Sequence, residues 1–332
     1  MKIIKVLIFC FLLIITTNAN SDNKNFNEWI KSFKIIALKN DISENTFEQV
    51  MENVKFLPKV IEYDRYQPEF YEDTKTYIKK RTSNKKLKSG IKIYNNNKNL
   101  IDRVDEKFNV EKELLLSLMG IETNFGDYLG KMDIISSLAT LSFDKRRSDF
   151  FTNELIIILK LVDKGVIDHK ILYGSWAGAF GNFQFMPSTI KNYAIDYDNN
   201  NIIDLKSMND SFASAANYIS KIGWKKNQPC YFAVELDNSI PKKFLNTSAK
   251  KLKNKKKLKY FKKYIKNYED INTNEDLRAA IITPDKDIVE GAEILNPAYI
   301  VFNNYDLILK WNRSLRFALA VCKLKNKFEN EL

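Results

Sequence analysis

The sequence predicts a mainly α (α+β) fold, a helical core interrupted by a small β region. Three observations carry that expectation. Across residues 100–223 apolar side chains recur at helical spacing in one segment after another. Residues 230–302 switch to short alternating runs, as at 231–236, 279–283 and 299–302. A helical pattern then returns over 312–328. With 332 residues, 45% of them apolar, the chain can bury a sizeable core.

The elements follow in order. Lys2 and Lys5, the apolar run 6–15 and the small residues Thr17-Asn18-Ala19 predict a secretory signal peptide cleaved after Ala19. Ten apolar residues are too short to span a bilayer comfortably, and Cys10 lies inside that run. Residues 26–82 read as helical, with Phe26, Trp29, Ile30 and Phe33 on one face and Ser43 as an N-cap for a helix over 44–55. Residues 83–90 are basic and polar and read as a loop. Asn109 is a candidate cap for a helix through Leu114, Leu115, Leu118 and Ile121 that stops near Gly126. Further helices are expected over 149–164, 188–193 and 211–222, the last rich in Ala213, Ala215 and Ala216. The Lys-rich stretch 250–266 reads as a solvated helix or linker, or alternatively as a binding patch. The implied layout is a signal peptide (1–19), an N-terminal helical region (20–99), a catalytic core (100–229), an inserted mixed or β region (230–302) and a C-terminal helix that completes the core (303–332).

Composition narrows the chemistry. The single histidine, His169, sits beside Asp168 in a polar stretch, so a Ser-His-Asp triad is disfavoured and a zinc site built on several histidines is excluded. Carboxylates, amides and hydroxyls are left to do the work. The net charge of +12 falls to +10 once Lys2 and Lys5 leave with the signal peptide, which suits an anionic partner; export argues against nucleic acid. No later stretch looks transmembrane. Cys230 and Cys322 leave two readings open, a disulfide of an exported protein or two buried thiols, since Cys322 shares an apolar stripe with Leu315, Ala318 and Leu319.

Three segments carry chemistry. Glu122 continues the stripe of Leu115 and Leu118 at the C-terminal end of its helix, where desolvation and the negative helix terminus both oppose a charged carboxylate. That environment suits a general acid, and a structural glutamate paired with Arg146 or Arg147 is the alternative. Residues 174–187, Gly-Ser-Trp-Ala-Gly-Ala-Phe-Gly-Asn-Phe-Gln-Phe-Met-Pro, set glycines among aromatic rings, either as a sugar-reading surface or as a packed loop. Asp196, Asp198, Asn200 and the Ile202 carbonyl occupy positions 1, 3, 5 and 7 of a calcium-type loop. Position 6 is Asn201, which tolerates a left-handed backbone, but position 12 is Ser207 rather than glutamate. An Asx-rich turn is the competing reading.

Together these segments resemble the lytic murein transglycosylase B family. Glu122-Thr123-Asn124-Phe125-Gly126 resembles its catalytic-glutamate motif, residues 139–147 (Ala-Thr-Leu-Ser-Phe-Asp-Lys-Arg-Arg) resemble the segment that follows, and the 174–187 run is similar almost throughout. The resemblance reaches from about residue 28 to 326 and is weakest in the Lys-rich insert. It implies a lysozyme-like helical core and non-hydrolytic cleavage of the MurNAc-GlcNAc bond of peptidoglycan, leaving a 1,6-anhydro end, with no catalytic cofactor. Glu122 matches the acid/base. Ser175, Gln184, Tyr218, Asn312, Arg146 and Arg147 match substrate-binding positions. Asp196, Asp198, Asn200, Ile202 and Asp210 match a variant loop for a structural Ca2+, in which the late acidic ligand is Asp210, also placed to cap a helix from Ser211. Near the C-terminus the family's Tyr-Asn-x-Ser-x-x-Tyr-Ala reads Trp311-Asn312-Arg313-Ser314-Leu315-Arg316-Phe317-Ala318, so Trp311 and Phe317 keep rings and lose two hydroxyls. The expected protein is a periplasmic monomer acting on glycan strands. A lysozyme-type hydrolase and a non-catalytic wall-binding scaffold are the alternatives.

Overall fold

The computed structural model describes residues 23–66 and 72–332. The signal-peptide expectation, including Cys10 and cleavage after Ala19, lies outside the described residues. The chain falls into two compact units. One comprises the described residues up to Tyr66, Leu129–Asn192 and Asn199–Asp204; the other comprises those from residue 72 to Tyr128, Tyr193–Asp198 and Leu205–Leu332.

The first unit opens with helix α1 (23–39), α2 (Glu44–Met51) and α3 (Pro58–Arg65). Ser43 caps α2 as expected, its hydroxyl accepting from Thr46 N at 3.2 Å. The strand β1 (Met132–Asp133) pairs with β2 (Tyr173–Gly174), and between them run α8 (Ile134–Phe143) and α9 (Ser148–Asp163). Helix α8 is buried nearly all round, which explains its almost continuous apolar and small-residue sequence. The short α10 (Pro187–Tyr193) follows the glycine-rich run. His169 lies in a single turn of 3-10 helix, as befits a polar connection.

The second unit is built on α4 (Thr74–Arg81), α5 (Asn84–Asn96), α6 (Lys98–Phe108), α7 (Lys112–Thr123), α11 (Met208–Lys221), α12 (Asn303–Trp311) and α13 (Leu315–Glu329). Helix α7 is the spine: Leu114, Leu115, Leu116 and Leu118 are fully buried, and α13 packs along it. Inserted before α12 is a five-stranded sheet in the order β3 (Tyr231–Val234), β7 (Ala298–Val301), β6 (Arg278–Ile282), β4 (Leu245–Asn246), with β5 (Lys256–Lys257) also on β6. It is antiparallel apart from the β4–β6 pair, and Ile281 lies opposite Ile300 in a small core of its own with Phe244, Leu258 and Phe261. Cys230, just before β3, is disulfide-bonded to Cys322 on α13.

Several expectations are corrected. Residues 83–90 are not a loop: Ser83 caps α5, and Leu87, Gly90 and Tyr94 form its buried stripe while Lys85 and Lys88 face outward. Asn109 does not start α7; it ends α6 in a left-handed conformation (φ 53°), a stop that asparagine tolerates. The C-terminal helix expected within 303–332 is two helices, and the one expected over 312–328 begins only at Leu315, because Asn312 closes α12 and Ser314 caps α13. Asp210 does not precede its helix: Ser207 is the cap and Asp210 lies in the first turn. The Lys-rich stretch is neither α-helix nor linker but β5 and a 3-10 segment whose Leu258 and Phe261 are fully buried. Its charge is partly neutralised, since Lys257 and Lys259 bind Asp276 at 3.1 and 2.9 Å and Lys255 binds Asp306. The two mature cysteines are a bond rather than a pair of thiols.

Candidate active site

Helix α7 ends at Thr123, and the chain leaves it through two successive left-handed residues, Asn124 (φ 51°) and Phe125 (φ 63°). Phenylalanine rarely adopts that conformation. It is held because Thr123 Oγ1 accepts from Gly126 N at 3.1 Å, Tyr128 N donates to Thr123 O at 2.9 Å, and the Phe125 ring folds back onto Gly120. A side chain at Gly120 would meet that ring at 2.6 Å. The turn leaves Glu122 half-buried on the last turn of α7, in the wall of a cleft of about 440 Å³ lined by Lys80, Ser83, Lys85, Lys86, Tyr128 and Asp127 among others.

The carboxylate is held from α12. Trp311 Nε1 donates to Glu122 Oε1 at 2.9 Å. The indole is in turn the end of a stack: Tyr193 on Tyr218 at 4.3 Å between centroids, and Tyr218 on Trp311 at 5.0 Å, with ring planes within 23°. Tyr218 donates its hydroxyl to Lys310 O at 3.2 Å, and burial, followed by Tyr193, pushes its phenol up to about 12, so it is a neutral donor at every physiological pH. An indole N–H can only donate, so the contact favours a lone pair, and hence negative charge, on Oε1.

Lys86 was missed by sequence reasoning because its helix was read as loop. Its Nζ donates to Gly120 O and, at 2.9 Å, to Asn124 Oδ1, and Asn124 Nδ2 donates to Asp127 Oδ2 at 2.8 Å. The ammonium therefore satisfies a carbonyl at the negative end of α7. Burial, then Arg81, lowers its pKa from the usual lysine value.

The other expected residues are placed as follows. Asn312, half-buried, directly follows Trp311 and donates its N–H to Ile308 O at 2.9 Å. Phe317 is a correction: at 3% exposure it is packed in the core on α13 and offers no face to a ligand. In the first unit, Ser175 Oγ accepts from Ala179 N at 2.9 Å, and Gln184, itself left-handed (φ 50°), donates Nε2 to Gly181 O at 2.9 Å and Leu129 O at 3.3 Å. The glycine-rich run is closely packed as well: a side chain at Gly174 would meet Ala179 O at 2.1 Å. Arg146 donates Nε to Asp64 Oδ2 at 2.7 Å, and Arg147 binds Asp64 Oδ1, so one buried aspartate aligns two half-exposed guanidinium groups.

Asp196, Asp198 and Asp210 bring one carboxylate oxygen each within 4.8 Å of one another. Three hard oxygen donors at that spacing fit calcium. Asp210 is fully buried and accepts from Tyr197 N at 2.8 Å, which fixes its orientation. Asn199 (φ 60°) and Asn201 (φ 69°) supply the left-handed turns expected of the loop. Asn200 and Ile202 belong to the first unit, where Ile202 N donates to Asn200 Oδ1 at 2.8 Å.

The family described as transglycosylase SLT domain matches residues 25–326. The membrane-bound lytic murein transglycosylase B of Escherichia coli K12 is 36% identical over 151 residues; that match spans 45% of this chain and 42% of the relative's length. SltB3 of Pseudomonas aeruginosa, solved in complex with NAG-NAM-pentapeptide, superposes with a TM-score of 0.81 at 30% identity over 92% of this chain and 79% of that one. The Escherichia coli lytic transglycosylase Slt35, solved in complex with calcium, gives 0.73 at 25% identity over 93% and 94%. These likenesses bear out the mainly helical, lysozyme-like fold. With its family match running nearly end to end, the chain belongs to the transglycosylase SLT-domain family.

Proposed function

We propose that the protein is a peptidoglycan lytic transglycosylase in which Glu122 serves as both acid and base. The observation that carries this reading is the Glu122 carboxylate at the end of α7, on a cleft wall and fixed by the Trp311 indole, while the other carboxylate of that cleft, Asp127, is engaged by Asn124. Most glycoside hydrolases use two carboxyl groups; here one suffices because the substrate brings its own nucleophile. Protonated Glu122 gives its proton to the oxygen of the MurNAc-GlcNAc β-1,4 bond, and the C1–O bond breaks. The ionised carboxylate then takes the proton from the C6 hydroxyl of the same MurNAc as that oxygen closes on C1. The glutamate is restored, no water is consumed, and a 1,6-anhydroMurNAc end remains. No cofactor is needed.

Oε1 accepts from Trp311, so the proton delivered to the substrate rides on Oε2. Trp311, at the end of the stack, offers ring surface to a sugar, Tyr218 backs it from behind, Asn312 orients the N-acetyl group, and Ser175, Gln184, Arg146 and Arg147 read the strand. On this reading residues 1–19 are removed on export to the periplasm, residues 100–229 with 303–332 form the catalytic core of a monomer, and residues 230–302 are an insert. Among the described residues no helix is long and apolar enough to cross a membrane.

Mass spectrometry of digested peptidoglycan tests the reaction. Anhydro products, lighter than their hydrolysed counterparts by one water, are expected; reducing MurNAc ends would instead identify a lysozyme-type hydrolase. Asp196, Asp198 and Asp210 would hold a structural calcium ion, and the loop pattern adds Asn200 and the Ile202 carbonyl. Calcium should then raise the melting temperature by binding the native state alone. A melting temperature indifferent to calcium and to chelator would remove the site.

A further inference from the structure

A second cavity in the unit that carries Glu122, of about 690 Å³, is walled by α4, α13 and the strands β3 and β7. Its floor is apolar: Ile78, Ala233, Pro297 and the rings of Tyr231 and Tyr299, which meet edge to face at 5.5 Å. Four lysines rim it, Lys75 and Lys79 from α4 and Lys323 and Lys327 from α13, and no acidic side chain lines it. Lys327 is engaged, donating to Thr82 O at 2.7 Å and Asn84 Oδ1 at 3.1 Å. Lys75, Lys79 and Lys323 make no ion pair among the described residues, in contrast to Lys34, Lys80, Lys98, Lys112, Lys226 and Lys325 elsewhere on the chain. Like charges gathered round a desolvating floor repel one another, and the arrangement is relieved by an anion. Burial pushes the Tyr299 phenol up to about 12 and raises that of Tyr231, so both stay protonated and able to donate. The cavity falls within the ordinary size range of ligand pockets, about 300–1,000 Å³.

This groove neighbours the Glu122 cleft across the start of α5. Ser83, which caps α5, lines both. A ligand that runs over Ser83 therefore has its sugar end beside the acid and its other end among the lysines. We propose that the groove of Lys75, Lys79, Lys323, Tyr231 and Tyr299 binds the carboxylate-bearing peptide stem of the glycan strand, so that the enzyme selects peptide-substituted over naked strands. This rests on the reading of Glu122 as the acid of a peptidoglycan transglycosylase. An unsubstituted sugar chain has little to place there, whereas a stem peptide supplies several carboxylates on a short backbone with small apolar side chains. A flat anionic lipid surface fits worse, because the two tyrosines lie half-buried at the base of a concavity.

The test compares wild type with Lys79→Gln/Lys323→Gln, two exposed positions whose replacement leaves the core intact. Three quantities are measured at physiological ionic strength: kcat/KM on peptide-bearing glycan, kcat/KM on the same glycan stripped of peptide by an amidase, and the Kd of free pentapeptide by calorimetry. Each exposed ion pair contributes up to about 1 kcal/mol, so losing two should weaken pentapeptide binding by about tenfold and lower kcat/KM on peptide-bearing strands to a similar degree. Cleavage of stripped strands should not change. Equal pentapeptide affinity in the two proteins, or wild-type cleavage of stripped strands as fast as of peptide-bearing ones, overturns the proposal. If neither substrate is cleaved by wild type the transglycosylase reading fails, and the pentapeptide titration, which needs no turnover, still decides the groove.

Discussion

Glu111 and Glu122 stand at opposite ends of α7, and each accepts an indole N–H, from Trp224 at one end and from Trp311 at the other. Glu111 is 3% exposed and also accepts from Asn227 N at 2.9 Å, with Lys325 Nζ at 3.6 Å. It stands at the positive end of the helix, which stabilises its charge. Glu122 stands at the negative end, which opposes charge, and it faces a cleft. On the proposed function, the same pair of residue types builds a structural anchor in one place and the proposed proton donor in the other. What separates them is the sign of the helix terminus, the cation at hand and access for a ligand.

The largest expected effect is on chemistry. Glu122→Gln keeps the shape and loses the titrating proton, so turnover should fall by about 10²–10⁴-fold, the usual range for a general acid, while the melting temperature stays near wild type. Product release followed beside a thermal melt checks both. Glu111→Gln should do the reverse: breaking a buried, ion-paired network costs about 3 kcal/mol of stability, and the molecules that remain folded should turn over normally. Should Glu111→Gln abolish turnover per folded molecule as deeply as Glu122→Gln does, the distinction between anchor and acid collapses.

Trp311→Phe sharpens the same contrast. It keeps a ring for the stack and removes one hydrogen bond to a charged group, a loss of about 1.5–3 kcal/mol, and turnover should drop about tenfold or more. Because the N–H favours the ionised carboxylate, its loss should also move the Glu122 limb of the pH–rate profile to higher pH. A lowered rate with an unmoved profile would reduce Trp311 to packing. The smallest effect is expected at Glu113, in the first turn of the same helix. Burial holds its carboxyl above the usual glutamate value of 4.5. The native state therefore binds more protons than the unfolded chain just above that value, so the carboxylate costs stability at neutral pH and the cost disappears as pH falls below it. Glu113→Gln should raise the melting temperature slightly at pH 7 and leave it unchanged at low pH; a rise that persists at low pH would point to helix propensity instead.

Glu122 stood out in the sequence as a carboxylate continuing an apolar stripe at a helix end; that pattern alone left a structural ion pair open, and the resemblance of residues 122–126 pointed it toward an acid. Asp196 and Asp198 were legible from spacing, whereas Asp210 entered the set only through the resemblance, because Ser207 stands at the twelfth position. What the sequence concealed depends on tertiary contact. The lysines of 83–90 masked the stripe of Leu87, Gly90 and Tyr94, since a basic helix face and a basic loop have the same composition. The ring that Phe317 keeps from the family motif is buried, because a motif does not say which face of α13 turns inward. Cys322 sits on an apolar stripe and so looks like a small hydrophobe; its partner, 92 residues away, is brought beside it only by the sheet. The lysines of the groove come from two helices distant in sequence, and no local pattern joins them.

The stacked indole also makes the acid visible to light. A protonated carboxyl quenches tryptophan emission more than a carboxylate does, and Trp311 shares a hydrogen bond with the group in question. Of the four tryptophans, Trp224 also touches a carboxylate, that of Glu111, and keeps that contact in Trp311→Phe, so its signal cancels in a difference. Subtracting the emission of Trp311→Phe from that of the intact protein leaves a spectrum that follows one proton. The midpoint of that titration can be read in the resting protein, without substrate, label or turnover, and Glu122→Gln should flatten it.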